Sequence, residues 1–300
     1  MIPRLDARKL ASNDPDTIGQ MHEAATVIGF ATVHSTGISG DRVREILNLY
    51  RDFFHLPDAE KVEIDMARTG ANRGWGASGS EQVDPMANPD FKQFFDSGFT
   101  LPVEDPRADL DVYAPNLWPT SPPAFKPEIE SYYIQACDVA MGVLRAVAKA
   151  MSVPSNYFDD AFEAPMALLR GNYYPSRPDW ATAQDFGIAT HTDYGCLTLL
   201  ATDGASGLEV RKRGGGWIPV SAPLGEFVIN FGEMMEIWSK GVVKATPHRV
   251  VGTVRERLSA PLFFNPSVNT NIAPMGSGET ILAGDHLARR FNETYVHLKA

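Results

Sequence analysis

His191 and Asp193 lie two positions apart in the stretch His191-Thr192-Asp193-Tyr194-Gly195. In an extended strand, residues two apart project to the same face, so an imidazole and a carboxylate would share one space. His248 follows 55 positions after Asp193, in Thr246-Pro247-His248-Arg249-Val250. Two imidazoles and one carboxylate are metal-ligand chemistry, and three ligands on one face of an ion leave its other positions open.

That donor set is the facial triad of non-haem Fe(II) sites, although Mn(II), Co(II), Ni(II) and Zn(II) accept the same atoms. An H-x-D alone is a common coincidence. A further His at this offset, and Arg257-Leu258-Ser259 nine positions beyond it, bring the joint coincidence to roughly one in a thousand. Arg257 and Ser259 share a face of a predicted strand, where a guanidinium fork and a hydroxyl suit one carboxylate. Asn172 and Tyr174 likewise share a face and add an amide and a phenol.

The elements that must position these residues are legible from periodicity. The segment from Asp14 or Asp16 to about Ile28 predicts a helix, as do Asp41 to Phe54 and Phe125 to Met151, whose apolar positions step by three and four. Ile2 to Leu5 and Gly29 to His34 read as strands. After Pro165 the texture changes to short apolar runs. Met166 to Tyr174, Ala189 to Leu200, Gly207 to Arg211, Phe227 to Phe231, Ala245 to Val251 and Leu258 to Phe264 read as strands, with Gly214-Gly215-Gly216 as a hairpin turn. Asp285 to Leu298 predicts a closing helix. The expectation is mainly β with flanking helices, a jelly roll or barrel, in one domain over 1–300. Its parts are a mainly helical 1–164, a β core over 165–270 with the metal site, and a closing segment over 271–300.

With 300 residues, 44% hydrophobic, the chain can bury a large core. A net charge of −10 argues against a nucleic-acid partner. No run of about 18 apolar residues occurs, so no membrane span is expected. Cys137 and Cys196 fall in apolar patterns and read as buried free thiols. Without a signal-peptide core, a cytoplasmic, reducing location is expected, which would suit Fe(II). Oligomeric state is left open.

At this point the chain resembles the isopenicillin N synthase-like family of Fe(II)/2-oxoglutarate-dependent oxygenases. The resemblance runs through Gly29-Phe30, Phe53-Phe54-His55-Leu56-Pro57, Arg73-Gly74-Trp75, Asn172-Tyr173-Tyr174-Pro175, the His191–Gly195 stretch, Pro247-His248-Arg249-Val250 and Arg257-Leu258-Ser259. It implies a double-stranded β-helix core and Fe(II) on His191, Asp193 and His248. It further implies 2-oxoglutarate on the iron, its far carboxylate on Arg257 and Ser259, with Asn172 and Tyr174 assisting. O2 would be the oxidant, and a small molecule would be hydroxylated or desaturated with release of succinate and CO2. The offset of nine to Arg257 is like that of isopenicillin N synthase itself, whereas plant-type members commonly have one residue more. That leaves an oxidase that does not use 2-oxoglutarate as the alternative within enzymes, and a non-catalytic metal-binding or sensor protein as the alternative outside them.

For the substrate, strand parity puts Arg170 on the face of Asn172 and Tyr174, and Phe263 on that of Arg257 and Ser259. Arg170 is the candidate anchor for a substrate anion and Phe263 a packing surface. Arg73, Trp75, Phe94 and Phe95 lie in the segments expected to wall the pocket.

Overall fold

The computed structural model describes residues 2–294 except 71, 85, 87, 178, 180–186, 253, 254 and 275. Its strands are β1 (Arg4–Asp6), β2 (Phe30–His34), β3 (Gly74–Gly76), β4 (Gln93–Gly98), β5 (Leu168–Tyr174) and β6 (Ile188–His191). They continue with β7 (Leu197–Thr202), β8 (Leu208–Arg211), β9 (Trp217–Pro219), β10 (Phe227–Phe231), β11 (His248–Val250) and β12 (Arg257–Phe264). The helices are α1 (Ala7–Ala11), α2 (Pro15–Glu23), α3 (Gly40–Phe54), α4 (Asp58–Lys61), α5 (Met66–Thr69), α6 (Phe125–Ala150), α7 (Glu233–Trp238) and α8 (Ala283–Thr294).

The strands form a major sheet in the order β1-β2-β10-β7-β12-β5-β4-β3 and a minor sheet in the order β6-β11-β8-β9. Alternation divides the major sheet cleanly. Ala31, Leu199, Ile229, Leu262 and Leu169 face the helices and join the main core, whereas Phe30, Tyr174 and Val228 face the minor sheet and pack with Leu208, Val210 and Val250. This is the two-sheet jelly roll expected from the closely spaced strands, in the double-stranded β-helix form that the resemblance implies.

Helix α6 covers the outer face because Phe125, Ile129, Tyr132, Ala136, Ala140, Val143 and Val147 recur at helical spacing and are all buried. Burying such side chains contributes about 1.5–3 kcal/mol each for the large ones. Helix α3 starts at Ser39, whose Oγ accepts from the Arg42 amide at 3.1 Å, a cap worth about 1 kcal/mol. Its Tyr50 crosses β5 at Gly171, where a Cβ would sit 2.2 Å from the Tyr50 ring. Only glycine permits that approach.

The structure departs from the sequence reading in several places. The run from Ala189 to Leu200 is not one strand. It splits into β6 of the minor sheet and β7 of the major sheet, because the chain turns over Thr192–Cys196 to change sheets. The glycine-rich 70–79 and the segment before Phe99 contribute β3 and β4, so the first 98 residues supply four of the eight strands of the major sheet. The mainly helical first half and the β core are thus one interleaved structure. The helix expected to reach Ile28 loosens into a wider turn over Ala24–Ile28 and stops at Gly29, at φ +78°. The closing helix ends, among the described residues, at Thr294, and Leu298 lies outside them. Cys196 is buried and Cys137 half-buried, both as free thiols.

Candidate active site

His191 ends β6 and His248 begins β11, directly opposite each other in an antiparallel pair. Their ring centroids are 4.3 Å apart. Asp193 reaches them from the turn rather than from the strand: its Oδ1 lies 3.7 Å from His191 Nε2 and 3.5 Å from His248 Nε2. Three ligand atoms, one from each residue, fall within 4.8 Å of one another.

Each ligand is oriented by its other polar atom. His191 Nδ1 lies 2.8 Å from the Ala189 carbonyl and His248 Nδ1 3.1 Å from the Thr246 carbonyl. A carbonyl only accepts, so both Nδ1 atoms carry hydrogen and both Nε2 lone pairs face the common space. Asp193 Oδ2 accepts from Asn230 Nδ2 at 2.6 Å and from Thr198 Oγ1, which leaves Oδ1 for a cation. Burial, with His248 close by, pushes His191 down to about 4, so it is a neutral ligand at pH 7. Burial alone would raise Asp193, but the adjoining His248 and His191 and the Thr198 hydroxyl hold it well below the usual carboxylate range. Burial opposes charge on His248 too, and Asp193 outweighs it, raising that imidazole. The donor set and its orientation fit a hard-to-borderline divalent ion such as Fe(II).

The turn that carries Asp193 is held from below. The Glu233 amide donates to the Asp193 carbonyl at 2.8 Å, the Met234 amide to the Gly195 carbonyl at 3.0 Å, and the Gly232 amide to the Cys196 carbonyl at 3.2 Å. Asn265 Oδ1 accepts from the Cys196 amide at 2.9 Å. A Cβ on Gly195 would lie 1.9 Å from that same oxygen, so the glycine closing the motif is a close-approach residue.

Arg257, Ser259, Asn172 and Tyr174 come together on the inner face of β12 and β5. Arg257 is opposite Tyr174, and Ser259 opposite Asn172. The Arg257 guanidinium stands 4.9 Å from the Tyr174 ring centre. It is 2% exposed, and its Nε and Nη1 have no hydrogen-bond partner. Asn172 Oδ1 is also buried and unpaired. Unpaired buried donors on a cation cost several kcal/mol. A carboxylate satisfies them, which is the fit that 2-oxoglutarate requires.

A cavity of about 110 Å³ opens on the metal side, with His191, Asp193, Arg73, Arg170, Asn172 and Phe263 on its wall. Arg170 does not present an uncommitted fork to it. Nε and Nη2 bind both oxygens of Asp96 at 2.7 and 2.6 Å, and Nη1 binds Glu81 at 2.8 Å. Lys92 completes this buried array by donating to Glu81. The expected substrate anchor is therefore a member of an internal charge network, packed 4.1 Å over the Phe94 ring. Trp75 is also corrected. It pairs with Phe95 on the helix-facing side of β3 and β4, and its Nε1 donates to Gln93 at 3.0 Å. Strand parity sends both rings away from the cavity, into the main core.

Glu81, Lys92, Leu287 and Phe291 line the cavity without having been singled out in the sequence. Asn230 and Thr198, which orient Asp193, were missed as well. The one available signal was Asn230 as a polar residue inside Phe227–Phe231.

The chain's similarity to known proteins agrees with this geometry. Residues 2–121 match the family described as "non-haem dioxygenase in morphine synthesis N-terminal", and residues 165–266 match the 2OG-Fe(II) oxygenase superfamily. Homoarginine-6-hydroxylase of Oryza sativa is 30% identical over 305 residues, covering 95% of this chain and 92% of the relative. A 2-oxoglutarate-dependent dioxygenase of Talaromyces stipitatus is 31% identical over 292 residues, 92% of this chain and 88% of that protein. A full-length Neurospora crassa protein, solved in complex with alpha-KG and thymine, superposes with a TM-score of 0.84 at 26% identity, covering 97% of this chain and 96% of that one. The chain belongs to the 2-oxoglutarate/Fe(II)-dependent oxygenase superfamily and is a non-haem dioxygenase that uses Fe(II), 2-oxoglutarate and O2.

Proposed function

We propose that His191 Nε2, Asp193 Oδ1 and His248 Nε2 hold the Fe(II), and that Arg257 and Ser259 receive the far carboxylate of 2-oxoglutarate, with Asn172 and Tyr174 assisting. The observation that carries this reading is the buried Arg257 guanidinium with Nε and Nη1 unpaired, beside a three-residue ligand cluster. When bound, the iron and its cosubstrate couple the decarboxylation of 2-oxoglutarate to succinate and CO2 with oxidation of a substrate by O2.

The chain's own residues bind, orient and exclude water. The Ala189 and Thr246 carbonyls fix the two imidazoles, Asn230 and Thr198 fix the carboxylate, and the apolar part of the cavity wall, including Leu168, Ile188 and Phe263, keeps the centre dry. The substrate is a small molecule that occupies this cavity against Phe263 and Arg73 and is hydroxylated or desaturated there. The named ligands of two relatives, homoarginine and thymine, are both small and polar. No helix among the described residues is long and apolar enough to cross a membrane. We read the chain as one oxygenase domain acting in the cytoplasm, where a ferrous ion and two free thiols both persist.

The test is an anaerobic titration of metal-free protein with Fe(II) and then 2-oxoglutarate, following the visible charge-transfer absorption of the iron–keto acid chelate. The band is expected in the wild type and at far higher 2-oxoglutarate in Arg257→Ala. Tight Fe(II) binding with no band would overturn the cosubstrate assignment.

A further inference from the structure

Helix α8 presents two stripes. Leu287, Phe291 and Thr294 line the cavity, together with Thr192, Asp193 and Tyr194 of the metal turn. His286, Arg290 and Thr294, spaced by four, face that turn from its outer side. His286 Nε2 donates to the Tyr194 carbonyl at 2.9 Å. Arg290 lies 4.3 Å over the Tyr194 ring. Thr294 Oγ1 gives its hydrogen to the Arg290 carbonyl at 3.0 Å, so it accepts from the Tyr194 hydroxyl.

A single carboxylate joins this helix to the ligand pair. Glu233 Oε1 accepts from Thr192 Oγ1 at 2.6 Å and from Arg290 Nη2 at 3.2 Å, and its Oε2 lies 3.2 Å from Arg290 Nε. The Glu233 backbone amide already holds the Asp193 carbonyl. Thr192 and Tyr194, the side-chain-bearing residues of the motif outside the proposed ligand set, are thus the points where α8 grips the turn, Tyr194 directly and Thr192 through Glu233.

We propose that Glu233 and Arg290 are positioning residues for the metal. They latch α8 to the turn between His191 and Asp193, so that the helix forming one wall of the cavity also fixes the separation of two ligands. This rests on the assignment of Fe(II) to His191, Asp193 and His248. The physical reason is leverage. Thr192 stands between the ligands, and rotation of its peptide would swing the Asp193 carboxylate away from the imidazoles. Groups hydrogen-bonded to the ligands typically change metal affinity by about 10–100-fold, and Thr192 and Arg290, further back in the chain of bonds, act at the lower end of that range.

The experiment measures anaerobic Fe(II) dissociation constants and melting temperatures of the full chain for Arg290→Met, Arg290→Lys, Thr192→Val and Thr192→Ser. Arg145→Met, which breaks the ion pair between Arg145 on α6 and Asp159 beyond the end of that helix, controls for loss of an ordinary surface pair. Arg290→Met and Thr192→Val are expected to weaken Fe(II) binding by about tenfold or more with little change in melting temperature. Arg290→Lys and Thr192→Ser should retain most of the wild-type affinity, and Arg145→Met should leave it unchanged. Wild-type affinity in both Arg290→Met and Thr192→Val overturns the latch. Failure of the wild type itself to bind Fe(II) overturns the metal assignment, and the latch falls with it.

Discussion

His191 and His248 oppose each other across one antiparallel strand pair, and each is turned by the carbonyl two residues before it, Ala189 and Thr246. The two imidazoles on the minor sheet are therefore oriented by backbone carbonyls. The third is set by side chains of the major sheet, Thr198 on β7 and Asn230 on β10. Asn230→Leu removes the donor while keeping the volume. It should weaken Fe(II) binding by about 10–100-fold, read by anaerobic calorimetry, with the fold intact by circular dichroism. Unchanged affinity would show that Thr198 alone orients Asp193.

An ion held between the minor sheet and the turn at Asp193, which the major sheet braces, should also act on stability. Mn(II) or Co(II), used anaerobically or in air as inert substitutes, should raise the melting temperature in proportion to the logarithm of metal concentration above its dissociation constant. His248→Ala should abolish the rise. A rise that survives in His248→Ala would place the stabilising ion elsewhere.

Arg257→Lys keeps the charge and loses the fork. With charge-assisted hydrogen bonds worth about 1.5–3 kcal/mol, Arg257→Ala should raise the dissociation constant of 2-oxoglutarate about 10–100-fold, and Arg257→Lys should recover only part. On the outer face of the same strand ends, Glu256 accepts from Arg51 Nε and the Tyr173 hydroxyl, each at 3.1 Å, and lies 3.1 Å from His55 Nε2. Glu256→Ala should raise the same constant by a few-fold by loosening the entry to β12, and leave Fe(II) affinity unchanged. Isothermal titration of the Fe(II)-loaded protein separates the two effects.

Glu81 gives a pH prediction. Burial alone would raise its carboxyl, but Arg170 and Lys92 beside it lower it to about 2 from an ordinary 4.5. The folded carboxyl stays ionised where the unfolded one takes up a proton. Its stabilising contribution, on the order of a few kcal/mol, is complete above about pH 4.5 and is lost as pH falls from there through about 2. Glu81→Gln leaves Lys92 buried beside a neutral group. It should melt at lower temperature at pH 7 and show a shallower fall between pH 5 and 3. Parallel curves for the two proteins in that window would contradict the assignment.

The grouping of His191, Asp193 and His248, and that of Arg257, Ser259, Asn172 and Tyr174, were legible because spacing along a strand fixes a face. The flanking helices were legible from their apolar steps. What escaped was whatever depends on a neighbour distant in sequence. Arg170 looked like an open receptor because nothing local announces Asp96 and Glu81 as its partners. Trp75 looked like a pocket wall because the register of β3 on β4, which sends it outward, is set by strand pairing across a long loop. Asp193 kept its place in the site although its strand did not continue, since the turn after His191 aims the carboxylate at the same point.

On the proposed reading, strands β5 and β12 carry two functions at opposite ends. Tyr174 and Arg257 stand at one end and Leu168 and Phe263 at the other, six residues apart on each strand. At about 3.3 Å per residue that is roughly 20 Å of rigid ladder. The proposed cosubstrate grip and the far substrate wall are therefore built on the same beams, with Asn172 between them on the cavity wall. Replacing side chains at the far end, or on the adjoining helix stripe, can retune which molecule is oxidised while the reaction that powers the oxidation stays as it was. Such a scaffold accumulates new specificities by exchanging one end of a pair of strands.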